Sequence, residues 1–139
     1  MSGPDPADVW RKVLDWLRIA ASDRRAAGVC VEQDPPLRDI AAYHCQQAAE
    51  KLLKGLLVHA RQDFGKTHDL ETLAKAALQV FPGFEPLVAP MNAWSAWGVA
   101  YRYPPEEDQE PEPTIDELLE ALERLGRFEA ALRSLGPSD

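Results

Sequence analysis

Between residues 37 and 62 the chain carries more apolar surface than one helix face can hold. Leu37, Ile40, Ala41, Cys45, Ala48, Leu52, Leu56 and His59 recur at the three- and four-residue spacing of a helical stripe, and Leu53, Leu57 and Val58 widen it beyond half the circumference. Such a helix is covered from more than one side. It is predicted to be the central element, packed by its neighbours or by a second copy of the chain.

The flanking segments fit around it. Asp8 to about Ala27 shows the same period in Val9, Trp10, Val13, Leu14, Leu17, Ala20 and Ala21, with Gly28 read as its end. Asp34-Pro35-Pro36 blocks continuation, because proline lacks an amide donor and restricts the residue before it. After the Phe64-Gly65-Lys66 turn, Thr67 or Asp69 is placed to cap a third helix whose inward stripe is Leu70, Leu73, Ala74, Ala77 and Leu78, stopped by Phe81-Pro82-Gly83. Phe84 to about Tyr101 carries Leu87, Val88, Met91, Trp94, Trp97 and Val99, but Pro90 and Gly98 predict a kinked or split segment. Residues 104–113 read as an extended acidic loop. Thr114-Ile115-Asp116-Glu117 has the spacing of a capping box and opens a last helix to about Leu135, with Ile115, Leu118, Leu119, Leu122, Leu125, Phe128 and Leu132 inward. No segment alternates with period two for long enough to suggest a strand. The prediction is all-α: an up-and-down bundle of four to five helices, one domain over residues 1–139 with frayed ends at about 1–6 and 136–139.

Composition narrows the function. A chain of 139 residues, 45% hydrophobic and 27% charged, builds one core without a metal or disulfide staple. Cys30 and Cys45 are read as reduced thiols, since residues 1–5 lack a basic region followed by an apolar stretch; a cytoplasmic protein is expected. The longest uncharged run, residues 86–101, is 16 residues long and broken by prolines, too short for a membrane span. The net charge of −8 argues against general nucleic-acid binding. Most of that charge is local: residues 86–139 hold 11 acids and four bases, with nine carboxylates between Glu106 and Glu123. A solvated linker and helix face is the simplest account, and a docking surface for a basic partner is the sharper one.

No dinucleotide, P-loop, CxxC or HExxH pattern is present; Asp63 follows His59 by four residues, but two candidate ligands do not make a metal site, and no metal, cofactor or catalytic residue is assigned. Two clusters remain. On the second helix Gln47, Glu50 and Lys54 succeed one another at three to four residues, with Lys51 beside them, and read alone amount to a surface ion pair worth a few tenths of a kcal/mol. Tyr101-Arg102-Tyr103-Pro104 places a guanidinium between two aromatic rings, a set suited to a phosphate and a stacked base or, equally, to covering Trp94 or Trp97.

Taken together, Ala42-Tyr43-His44-Cys45-Gln46-Gln47-Ala48-Ala49-Glu50-Lys51-Leu52-Leu53-Lys54-Gly55-Leu56-Leu57, then Lys66-Thr67-His68-Asp69-Leu70, then Arg102-Tyr103-Pro104, resembles the HEPN domain family over roughly residues 8 to 132. The resemblance implies a helical bundle that forms a two-fold homodimer, of the kind often paired with a minimal nucleotidyltransferase in a two-component, toxin–antitoxin-like system, or acting as a nucleotide-binding accessory domain. HEPN ribonucleases place a histidine four to six residues after an arginine. Here Arg102 is followed by Glu106, Glu107 and Asp108, and no histidine lies further along the chain. A carboxylate cluster repels phosphate and is a poor general acid near neutral pH. The expectation is therefore a non-catalytic subunit that binds a nucleotide (ATP or GTP) or a nucleotidyltransferase partner through Gln47, Glu50, Lys54, Tyr101, Arg102 and Tyr103. The alternatives are a protein-interaction module and a ribonuclease with a degenerate motif. His68 is read as part of the opening of the third helix.

Overall fold

The computed structural model describes residues 3–98 and 112–137. Among the described residues five α-helices run in chain order: α1 (Pro6–Glu32), α2 (Arg38–His59), α3 (Leu70–Val80), the single turn α4 (Glu85–Val88) and α5 (Ile115–Arg133). Short 3-10 stretches, Pro82–Phe84 and Ala89–Gly98, flank α4, and no strand occurs among the described residues. The five-residue link between α1 and α2 folds them back as neighbours, and theirs is the most extensive contact in the bundle.

α2 is the central helix. Thirteen of its 22 residues are buried, and it touches α1, α3, α5 and the Ala89–Gly98 run. The buried stripe begins at Ala41, because Leu37 and Ile40 belong to the opening turn and remain 41% and 42% exposed. Gly55 lies where three helices converge: a Cβ there would stand 3.2 Å from both Leu132 Cδ2 of α5 and Trp16 Cβ of α1. Glycine here lets the Leu132 and Trp16 side chains press against the α2 backbone.

Gly28 does not end α1, which continues to Glu32. Glycine lowers helix propensity by about 1 kcal/mol but imposes no stop, and Cys30 and Val31 beyond it pack on the core. The stop comes from the prolines: Gln33 is already extended, with ψ 157°.

At α3 the expected cap takes another form. Asp69 is the N-cap but accepts no amide of the helix. It accepts the Thr72 hydroxyl instead, and Thr67 Oγ1 accepts the Asp69 amide at 3.1 Å.

The segment after α3 is split, as Pro90 predicts, and its register is unusual. Val88, Met91, Trp94 and Trp97 are buried at a strict spacing of three. That is the period of a 3-10 helix, in which residues i and i+3 eclipse. The Trp94 and Trp97 rings accordingly stack, 5.3 Å apart and within 7° of parallel. Ten residues is long for such a helix; burial of this one row against α2 and α3 holds it.

α5 starts as its sequence predicts. Thr114 Oγ1 accepts the Glu117 amide and Glu117 Oε1 accepts the Thr114 amide, each at 3.1 Å. Its inward row includes Ala121 in place of Leu119, which is 50% exposed.

Candidate functional site

The Gln47–Glu50–Lys54 row lies on α2 as its spacing predicts, but it is not a surface pair. Glu50 and Lys54 are 1% and 5% exposed. Their cover comes from elsewhere in the chain: Lys54 Nζ lies 5.6 Å from the ring centroids of both Trp16 of α1 and Phe64 of the α2–α3 loop. These two rings meet edge to face at 6.1 Å. A lysine stem packed this way keeps its charge beside π-faces and its carboxylate partner, with little water.

Glu50 Oε2 gathers three cationic or donor groups: His68 Nδ1 at 3.3 Å, Lys54 Nζ at 3.4 Å and Lys51 Nζ at 3.7 Å. The carboxylate can only accept, so its hydrogen bond with His68 requires the hydrogen on Nδ1. Glu50 Oε1 is buried and has no protein partner among the described residues. Leaving such an oxygen unmatched costs about 1–3 kcal/mol.

His68 is not a capping residue. Its side chain is 77% exposed while Nδ1 reaches inward to Glu50 Oε2, the oxygen it shares with Lys54 Nζ. It is the opening of the buried cluster to solvent.

A second carboxylate–imidazole pair lies next to the first. Asp23 of α1 meets His44 Nδ1 at 2.9 Å and Lys51 Nζ at 4.0 Å. Lys51 Nζ also donates to Gln47 Oε1 at 2.9 Å, and Gln47 Nε2 donates to Gln46 Oε1 at 2.8 Å. One continuous polar network thus runs from the partly exposed Asp23 and His44 across Lys51 to the buried Glu50 and out again at His68. Asp23, His44, His68, Trp16 and Phe64 are members that helical spacing alone does not identify, because their partners lie on other elements.

Tyr101, Arg102 and Tyr103 lie outside the described residues, as does most of the acidic loop. Arg38 pairs with Glu112 at 3.5 Å and donates to Pro113 O at 3.4 Å. Glu120 and Glu123 pair with Arg124 and Arg127. These described carboxylates are therefore matched within the chain, which leaves less free charge for a basic partner.

The site offers fixed hydrogen-bond donors and acceptors and two carboxylate–imidazole pairs. Among the described residues no group of three or more His, Cys, Asp or Glu side chains is placed to hold a metal ion. Burial, with Cys30 adding to it, pushes the Cys45 thiol up to about 12, so it stays protonated and unreactive. No helix among the described residues is long and apolar enough to cross a membrane.

The HEPN domain family matches residues 13–135, nearly the whole chain. The chain belongs to the HEPN family. No curated protein and no solved structure matches it.

Proposed function

We propose that this HEPN protein is a non-catalytic recognition subunit that binds a nucleotide, ATP or GTP, or the nucleotide-bearing surface of a nucleotidyltransferase partner in a two-component, toxin–antitoxin-like system. The observation that carries this reading is the network around Glu50. A core that keeps two nearly water-free charges and an unmatched carboxylate oxygen forgoes the stability an apolar core would give. What it obtains is a fixed row of polar side chains: Gln47, held by the buried Gln46, and Lys51 and His68, held by the buried Glu50. Such preorganisation is what recognition of a phosphate-bearing or base-bearing ligand needs.

In this reading Gln47 and Lys51 contact the sugar or phosphate groups directly. Glu50 and Lys54 position their neighbours, and Arg102 adds a bidentate phosphate clamp with Tyr101 or Tyr103 stacking on the base. The missing histidine after Arg102 removes the ribonuclease pair and leaves binding as the role of that arginine. Val29, Leu37 and Ile40, 52%, 41% and 42% exposed around the α1–α2 link, support a contact with a second copy of the chain.

Titration calorimetry with ATP and GTP tests the binding claim on the wild type, Arg102→Ala and Gln47→Ala. Saturable heat in the wild type, weakened about tenfold or more in Arg102→Ala, is expected. Absence of heat with both nucleotides removes the small-ligand reading and leaves the partner-binding one, which co-purification with a nucleotidyltransferase decides.

A further inference from the structure

Where α2 ends, Arg61 occupies a backbone position that glycine usually takes. Its φ is 58°. Its amide donates to Val58 O at 3.0 Å while the Gln62 amide donates to Leu57 O at 2.9 Å, the paired bonds of a Schellman ending with one left-handed residue after the helix. Any Cβ there crowds the following carbonyl oxygen. Glycine would serve the turn better, so what arginine contributes at this position is its side chain.

That side chain lines a cleft of about 370 Å³ at the end of the bundle. Trp10 and His59 form its aromatic wall, their rings edge to face at 5.9 Å, and Phe81 stacks on His59 at 5.8 Å. Val9 and Leu135 add apolar surface. The Gly136 backbone lies close against the indole, where a Cβ would overlap the ring of Trp10. Burial, with Arg61 adding to it, lowers His59 below the ordinary imidazole value of 6.5, so at neutral pH the ring is uncharged and offers one donor and one acceptor.

The electrostatics of the cleft differ from those of the chain. The protein carries a net charge of −8, yet none of the eight residues around the cleft is acidic and Arg61 is the one charged group among them. Arg61 spends one Nη2 hydrogen on Pro4 O at 3.4 Å, which leaves further donors of the guanidinium for a ligand. One cation beside two aromatic rings suits a single negative charge on a flat ring; a phosphate dianion calls for more positive charge than this cleft supplies.

We propose that this cleft binds a planar aromatic carboxylate, its ring against Trp10 and His59 and its carboxylate on the Arg61 guanidinium. The site is separate from the Glu50 network, and nothing in it depends on nucleotide binding there.

Titration of the ¹⁵N-labelled full chain with indole-3-carboxylate, followed by amide and indole NMR signals, tests the site. Saturable shifts of the Trp10 indole N–H and the Arg61 and Gly136 amides are expected. The neutral indole-3-carboxamide should bind about tenfold more weakly. Arg61→Gly removes the guanidinium while relieving the backbone, so it should melt no lower than the wild type and lose about tenfold or more in affinity. The site is refuted by equal binding of acid and amide, by unchanged affinity in Arg61→Gly, or by no saturable shift up to about 10 mM ligand. A lower melting temperature in Arg61→Gly would refute the argument from strain, making the arginine a structural tie to Pro4.

Discussion

Two glutamate–cation pairs in this protein share the same i, i+4 spacing and little else. Glu50–Lys54 on α2 is 2% and 6% exposed at its side chains, whereas Glu123–Arg127 on α5 is 64% and 66% exposed. The helix backbone brings the partners together equally well in both cases. The difference is the cover: Trp16 and Phe64 lie over the α2 pair, and water lies over the α5 pair. Arg24–Glu129, which ties α1 to α5, falls between them, with the arginine 43% and the glutamate 8% exposed. Spacing decides whether two charges meet, and burial sets the cost of removing one of them.

The largest effect belongs to the covered pair. Lys54→Met keeps most of the stem that packs between Trp16 and Phe64 but deletes the charge facing Glu50. Breaking a buried pair leaves an uncompensated ion and costs about 3–5 kcal/mol. Lys51 and His68 still face the carboxylate, so a loss near the lower end, about 3 kcal/mol, is expected in chemical denaturation. Glu50→Leu combined with Lys54→Met removes both charges and should regain most of that loss. If the single variant loses less than about 1 kcal/mol, the pair is effectively solvated and the contrast with α5 collapses.

The intermediate pair sharpens the contrast through pH. Burial raises the Glu129 carboxyl above its ordinary value of 4.5, and Arg24 opposes that rise. Arg24→Gln removes the opposition, so the folded state holds the Glu129 proton to still higher pH than the unfolded chain does. A group raised in this way favours folding while it is protonated, and the advantage is lost as pH climbs through its folded value. The stability gap between wild type and Arg24→Gln should therefore be small at about pH 4 and grow to about 1–2 kcal/mol at about pH 7. Denaturant titrations at both pH values measure it. A gap that does not change with pH would assign the loss to packing of the arginine stem.

The same contrast explains what could be read in the sequence. Helix identity, the central place of α2, the Thr114 capping box and the break around Pro90 all arise from interactions between residues a few positions apart. The burial of Glu50 and Lys54 does not, because Trp16 and Phe64 arrive from other elements. Glu50–His68 and Asp23–His44 join residues 18 and 21 positions apart. A loop histidine can be the partner of a helical carboxylate 18 positions earlier once the loop after α2 folds back. The Ala89–Gly98 run is obscure for a different reason. The spacing of Val88, Met91, Trp94 and Trp97 is visible, but the apolar Leu87, Ala89, Ala93 and Ala96 between them mask it, and burial singles out the row. Gly28 is the opposite case, a local signal overruled by packing of the residues beyond it.

The smallest effect tests the other end of the comparison. A double-mutant cycle on Glu123→Ala and Arg127→Ala should give a coupling of about 0.3–0.5 kcal/mol, and about 1 M salt should remove most of it, because both groups are screened by water and ions. The same cycle on Glu50 and Lys54 should give a coupling several times larger that barely responds to salt, since ions do not reach a pair under two aromatic rings. Salt response, rather than magnitude alone, is the decisive reading. Salt abolishes the coupling of a solvated pair and spares that of a pair shut away from solvent, and a pair of the second kind can hold Gln47, Lys51 and His68 in fixed positions for a ligand.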